Sequence, residues 1–382
     1  MATKTLATRI GAGISTSRSA ADAAVEAARE AAAGLDGRGA DLVFLFLSSD
    51  HSEHVAEAAV ALREELSPLN LVGCVAQGVL GRARELEHGP AAAVWAGSLP
   101  GAEIACFHAS GAADLPDLDG SSLVALLVDP FTFPLGPVLA ELNESHPGLP
   151  LVGGIAAGAG APGTQALIVD DELHEDGAAG VAVSGIQVRT VVSQGCSPFG
   201  RESVITRAEE NVVYELAGQR ALDRLRADIG ALSPEERELA GQGIMAGLVI
   251  DENRTEYGRG DYLMRCLLGA DEGSGAIAIG QRVRVGQTLR FHFRDARTAD
   301  DDLRETLARE LGAARGAGAL VFTCNGRGTH MFPEPDHDAR VVGELLGSPA
   351  VAGFFCGGEI GPVGGRAFLH GFTATLAVFL EP

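Results

Sequence analysis

The chain has 382 residues, 46% of them hydrophobic and 21% charged, which fits a globular protein of about two domains with a sizeable core. Its formal net charge of −22 argues against nucleic acid or an anionic membrane as a partner, because both bind basic patches. Lys4 is the single lysine, so the chain has no glycine-lysine phosphate loop and no internal lysine for a Schiff base.

Met1 to Gly13 carries no apolar signal core, and no apolar run approaches the roughly 18 residues of a membrane span. Six cysteines, Cys74, Cys106, Cys196, Cys266, Cys324 and Cys356, are scattered without a C-x-x-C pair. These features describe a reduced, soluble, cytoplasmic protein. Residues 4–14 predict a strand ending at Gly11-Ala12-Gly13, and Ser15, Ser17 or Ser19 caps an alanine-rich helix over about 20–33. The unbroken apolar run from Leu42 to Leu47 predicts a buried strand, closed by Ser48-Ser49-Asp50-His51. A helix over about 52–66, Pro68, the glycine-rich stretch Leu71 to Gly78 and strands near 91–96 and 102–107 follow.

The same order recurs with a strand from Leu123 to Val128, then Asp129-Pro130-Phe131, a helix around 135–145, Pro150, the stretch Leu151 to Gly158, and strands near 165–170 and 178–184. A different region comes next, with strands from Val188 to Val192 and Ser203 to Thr206, and helices over about 218–228 and after Ser233-Pro234-Glu235-Glu236. Strands then run from Met245 to Ile250, Tyr262 to Leu268, Gly275 to Val285 and Thr288 to Phe293, before a helix starting at Arg297-Thr298-Ala299-Asp300. The third occurrence has a strand over 320–325, a helix over about 337–346, Pro349, the stretch Val351 to Gly358 and a last strand from Leu376 to Leu380. The expected fold is α+β, with mixed β-sheets flanked by helices and three copies of strand–helix–Pro–strand–Gly-turn–strand–strand. The expected domains are 1–210 and 211–382, divided at the charged stretch Glu209-Glu210-Asn211.

Comparing the copies separates fold from function. Glycines at the start of each turn and five residues later occur in all three copies, so backbone geometry accounts for them. Arg327 and Glu359 are different: their counterparts are Ser49 and Pro130 in one case, Val79 and Ala159 in the other. An arginine fork takes a carboxylate and a glutamate takes an ammonium, so the two suit a small zwitterion beyond the strand ends. On that view Arg327 faces solvent and contributes little to folding. The plainer alternative is an Arg327–Glu359 pair that ties two turns together. Cys324 and Cys356 are either thiols activated by His370 or His337, or small buried hydrophobes. Asp50-His51-x-Glu53-His54 and Asp336-His337-Asp338 both open helices, where acidic residues read as caps rather than metal ligands.

The strings Cys324-Asn325-Gly326-Arg327-Gly328, Pro335-Asp336-His337-Asp338, Gly353-Phe354-Phe355-Cys356-Gly357-Gly358-Glu359-Ile360-Gly361-Pro362 and Phe368-Leu369-His370-Gly371-Phe372-Thr373 closely resemble the signature of the FIST C-terminal domain. Asp41 to about Thr206 resembles the FIST N-terminal domain. The resemblance implies an intracellular bacterial sensory module that binds a small ligand such as an amino acid. Its relatives are often joined to signalling outputs, whereas this sequence leaves no room for one, so the signal is expected to pass to a separate protein. The candidate ligand-binding residues are Cys324, Asn325, Gly326, Arg327, Cys356, Gly357, Gly358, Glu359, His370 and Thr373, with Ser48, Ser49 and Asp50 closing the pocket. No catalytic residue, cofactor or metal is assigned. The alternative is a cysteine-dependent enzyme acting on a small polar substrate.

Overall fold

Residues 7–158 and 160–381 are described by a computed structural model. The part of the expected 4–14 strand before residue 7, and Ala159, the counterpart of Glu359, lie outside the described residues. The chain forms two units. One gathers residues up to Val192, Leu303–Leu369 and the segment from Thr373; the other is Ser193–Asp302 with His370–Phe372.

Runs of apolar residues, alternating with helices, build the first unit. The opening run is β1 (Arg9–Ser15), α1 (Ala20–Ala33), β2 (Leu42–Ser48), α2 (Val55–Leu66), β3 (Leu71–Ala76), the short hairpin of β4 (Val79–Gly81) and β5 (Arg84–Leu86), and β6 (Ala92–Ser98). The next is β7 (Glu103–Ala109), β8 (Leu123–Val128), α3 (Leu135–Ser145), β9 (Leu151–Ala156), the hairpin of β10 (Leu167–Val169) and β11 (Glu172–His174), and β12 (Ala178–Ser184). β13 (Val188–Gln194) leads into the second unit. That unit contains β14 (Cys196–Glu209), β15 (Val212–Leu216), β16 (Gln219–Arg220), α4 (Ala221–Gly230), α5 (Pro234–Gly241), β17 (Ile244–Val249), β18 (Tyr262–Asp271), β19 (Ala276–Ile279) and β20 (Thr288–Arg294). α6 (Ala296–Leu311) returns to the first unit. The last run is β21 (Gly316–Cys324), α7 (His337–Leu346), β22 (Val351–Val363), β23 (Arg366–His370) and β24 (Thr373–Leu380).

One strand order recurs in the first unit. β6–β2–β3, β12–β8–β9 and β24–β21–β22 are each consecutive neighbours, flanked at the closing strand by β1, β7 and β13. Strands joined through a helix are parallel, and the closing strand is antiparallel. One sheet runs β1-β6-β2-β3-β10-β11, and the other runs β13-β24-β21-β22-β9-β8-β12-β7. Alternate residues of the two sheets meet face to face, as in the ring pairs Phe46–Phe354 at 5.3 Å and Trp95–Phe379 at 4.7 Å. Helices cover the outer faces. The alanine stripe of α1 lies with α2 on the six-stranded sheet, α3 packs on β8 and β9, and α7 packs on β21 and β22. The expected α+β class is the observed one.

The glycine-rich stretches differ from the turns expected of them. Gly73, Gly153 and Gly353 sit inside strands, in register with Leu45, Leu126 and Val321. A Cβ on each would come within 2.4, 2.0 and 1.7 Å of those residues' carbonyl oxygens. β22 then continues through Gly357-Gly358 as a strand. It pairs with β4 over Ala352–Phe354 and with β9 from Cys356 onward, and a bulge falls between Cys356 and Glu359.

The second unit is an antiparallel sheet in the order β14-β20-β17-β18-β19-β15-β16, closed on itself by pairing of β14 with β15. The strand expected over 275–285 stops at Ile279, where Gly280 ends the apolar alternation. Phe372 packs with Met245, Tyr262 and Met264 and lies under the Arg294 guanidinium at 5.1 Å. Asp302 Oδ2 accepts hydrogen bonds from Ser193 Oγ at 2.9 Å and Gln194 N at 2.7 Å, so the two ends of this segment are clasped together.

Candidate functional site

The ends of β21 and β22 hold most of the residues singled out in the sequence. Cys324 and Cys356 are register partners, and Asn325 N donates to Cys356 O at 2.9 Å, extending the ladder one bond further. A tight turn follows, with Arg327 N donating to Cys324 O and Gly326 N to Cys324 Sγ at 3.4 Å. Gly328 takes a left-handed φ of 61°, and a side chain there would strike the Glu87 carboxyl, which accepts the Thr329 N–H at 2.8 Å.

This turn carries Arg327 inward. The solvent-facing position expected for it is not what the structure shows: Arg327 is fully buried. Nor is Glu359 its hydrogen-bonded partner. Its Nε and Nη2 donate to Asp338 Oδ2 and Oδ1 at 2.7 and 2.8 Å, a two-pronged pairing across α7. Thr323 Oγ1 also donates to Asp338 Oδ2 at 2.6 Å, and His337 Nδ1 lies 2.9 Å from Oδ1. Phe332 stacks on His337 and lies 5.2 Å beneath the guanidinium. Burial acts to raise the Asp338 pKa, but the Arg327 charge and these hydrogen bonds outweigh it and hold the carboxyl well below the usual range.

The capping roles expected of the acidic knots are therefore corrected. Asp336 occupies the N-cap position just before α7 in a left-handed conformation and makes no side-chain cap bond; its Oδ1 accepts Glu85 N at 2.6 Å instead. The cap comes from Glu85, whose Oε1 accepts the Ala339 N–H at 2.9 Å. Sequence gives no signal for this, because the residues are 254 apart in the chain. Burial, together with the Asp338 charge, raises the Glu85 pKa. At the other knot, Ser49–His54 forms a 3₁₀ turn without a side-chain cap bond.

Glu359 emerges from the bulge fully buried. Its Oε2 accepts Thr373 N at 3.1 Å and Thr373 Oγ1 at 2.8 Å. Burial pushes its carboxyl up to about 8, against the Thr373 bonds, a hydrogen bond from the Cys324 thiol and the Arg327 charge. At neutral pH Glu359 is thus mostly protonated. Arg327 Nη1, Glu359 Oε1, Asn325 Oδ1 and Glu85 Oε2 are all buried without a hydrogen-bond partner. Cys356 is fully buried, and burial raises its thiol pKa well above the ordinary value.

Ser48, Ser49 and Asp50 close β2, in the other sheet of the first unit. Ser48 is buried, its hydroxyl accepting Ala91 N at 2.9 Å within its own sheet, while Ser49 and Asp50 are exposed. His370 is buried and belongs to the second unit. Gly357 is exposed at the bulge and Gly358 is buried.

Models of the FIST N domain and the FIST C domain match residues 41–219 and 221–362. The chain belongs to the FIST family. FIST domains are sensory domains of signal transduction that respond to small ligands. Proteins of Mycobacterium tuberculosis are 42% identical over 384 residues, covering 98% of this chain and 100% of their own length, and are described as uncharacterized. One from Mycobacterium bovis, described in the same way, is 42% identical over 382 residues, with 98% and 99% covered. A solved structure described as cyanuic acid hydrolase from A. caulinodans aligns over 97% of this FIST chain and 99% of its own, at 11% identity and a TM-score of 0.30. A likeness that weak says nothing of function. No helix among the described residues is long and apolar enough to cross a membrane.

Proposed function

We propose that this FIST protein binds a small polar ligand such as an amino acid at the ends of β21 and β22, and passes the signal to a separate protein. The supporting observation is that Arg327 Nη1, Glu359 Oε1 and Asn325 Oδ1 are buried and unpartnered, with Arg327 and Glu359 both interacting with Cys324. Leaving such atoms unmatched costs about 1–3 kcal/mol each, so a ligand that satisfies them gains that energy. An amino acid has the complementary groups. Its carboxylate accepts from Arg327 Nη1 and from the Glu359 carboxyl proton, and its ammonium donates to the Asn325 carbonyl oxygen. Gly326, Gly357 and Gly358 leave the backbone open to close approach, and Thr373 fixes Glu359. Ser48, Ser49, Asp50 and His370 are not needed for this reading.

The test is a thermal-shift screen against amino acids, dicarboxylates and nucleotides, repeated on Asn325→Ala and Glu359→Gln. A ligand at 100 times its Kd stabilises the native state by about 2.7 kcal/mol. Stabilisation by amino acids that is lost in Asn325→Ala is the expected result. Stabilisation that survives both substitutions, or none with any compound, would defeat the proposal. A cysteine-dependent reaction has less support, because His337, one of the two bases expected to activate the thiols, is engaged by Asp338 instead.

A further inference from the structure

Cys324 and Cys356 are register partners on neighbouring parallel strands. Leu320 and Phe322 of β21, and Ala352 and Phe354 of β22, point into the core between the two sheets, as does Cys356. By the alternation of strands Cys324 points the same way, so the two thiols stand side by side on one face. Adjacent strands lie about 4.8 Å apart, within the range of about 4.4–6.8 Å over which a disulfide joins two Cα atoms.

The two positions differ in a way that suits sequential chemistry. Cys324 ends its strand with 9% of its surface exposed, receives the Gly326 N–H, and lies within reach of the Arg327 charge. The Gly326 N–H and the Arg327 charge favour a thiolate, while the Cys324 thiol also donates a hydrogen bond to Glu359. Cys356 is fully buried, and the Gly357-Gly358 bulge directly after it gives the strand a place to yield.

We propose that Cys324 and Cys356 form a redox-modification site, a dithiol that hydrogen peroxide converts into a disulfide. The Cys324 thiolate sulfur attacks one peroxide oxygen, the O–O bond breaks, and sulfenic acid forms while the departing hydroxide takes a proton to become water. The Cys356 sulfur then attacks the Cys324 sulfur. The S–O bond breaks and the leaving hydroxide takes the Cys356 proton as a second water. Two thiols lose two electrons, and one peroxide is reduced to two waters. A thiol of the reducing pool reverses the step by exchange. None of this depends on which ligand the site binds.

The test uses the full native chain, titrated with hydrogen peroxide, quenched, unfolded, alkylated with iodoacetamide and digested without reductant for mass spectrometry. Cys266, which is exposed, reports that peroxide has acted. The expected result is loss of alkylation at Cys324 and Cys356 and a linked pair of peptides carrying them, two hydrogens lighter than their sum and separated by dithiothreitol. In Cys356→Ser, Cys324 should instead be trapped as a dimedone adduct of its sulfenic acid. The wild-type map alone decides the matter if that variant fails to fold. Cys324 and Cys356 still fully alkylated once Cys266 is oxidised, or either of them linked to another cysteine such as Cys74, would overturn the proposal.

Discussion

A guanidinium taken wholly out of water has to be matched, and at Arg327 the match is Asp338. Breaking a buried pair by removing one partner costs about 3–5 kcal/mol, because it strands the other charge. Arg327→Ala and Asp338→Ala should each lower stability by that amount in urea titrations, and the double variant by clearly less than the sum. Additive losses would show that the two act separately. Glu359 gives a second test at this scale, through pH. Its folded-state pKa of about 8 lies above the ordinary glutamate value of 4.5, so its stabilising effect is complete below pH 4.5 and is lost as pH rises through 8. The loss is at most about 1.4 kcal/mol per pH unit across that window. Glu359→Gln removes this slope, which should appear as a flatter plot of melting temperature against pH between 5 and 8. An unchanged slope would show that Glu359 is ionised in the folded protein. The sequence marked Arg327 and Glu359 as the odd residues among three similar runs, and the structure buries both. It did not show how they are used, because whether an arginine turns inward depends on a loop closing over it.

Local chemistry placed most elements, and distant chemistry set what joins them. Ser19 caps α1 by accepting Asp22 N, and Ser233 and Glu236 form a reciprocal cap on α5, each within three residues of its partner. The cap of α7 comes from Glu85 on another strand, which no local pattern announces. Glu85→Ala should cost about 1–2 kcal/mol, and Glu85→Gln, which keeps an acceptor for Ala339 N, should recover most of it; equal losses would refute the cap. The glycines teach the same lesson. The repeated stretches looked like turns, yet Gly73, Gly153 and Gly353 are where one strand passes against the carbonyl of the next. Gly353→Ala, which places a methyl 1.7 Å from Val321 O, should cost more than about 3 kcal/mol. Gly364→Ala, at a φ of 58° in an open hairpin turn, should cost about 1 kcal/mol. The reverse order of urea midpoints would mean that φ, and not close approach, selects these glycines.

For the molecule as a whole, the recurrence of strand, helix and strand was legible because parallel strands buried on both faces leave unbroken apolar runs. The sheet order was not legible, because which edges meet depends on contacts far apart in sequence. The family boundary between residues 219 and 221 also falls inside the second unit, just before α4. The clasp of Ser193 and Gln194 on Asp302 bears on this unit's history. A segment whose two ends meet is a guest: its host needs only to bridge a gap of a few residues, and the entropy of closing that bridge is small. Excising Gly195–Asp301 and joining the stubs with a short glycine–serine linker should therefore leave a chain that still forms both sheets of the first unit, visible as a cooperative melt with unchanged strand content per residue. A molten or insoluble product would mean that the two units depend on one another to fold.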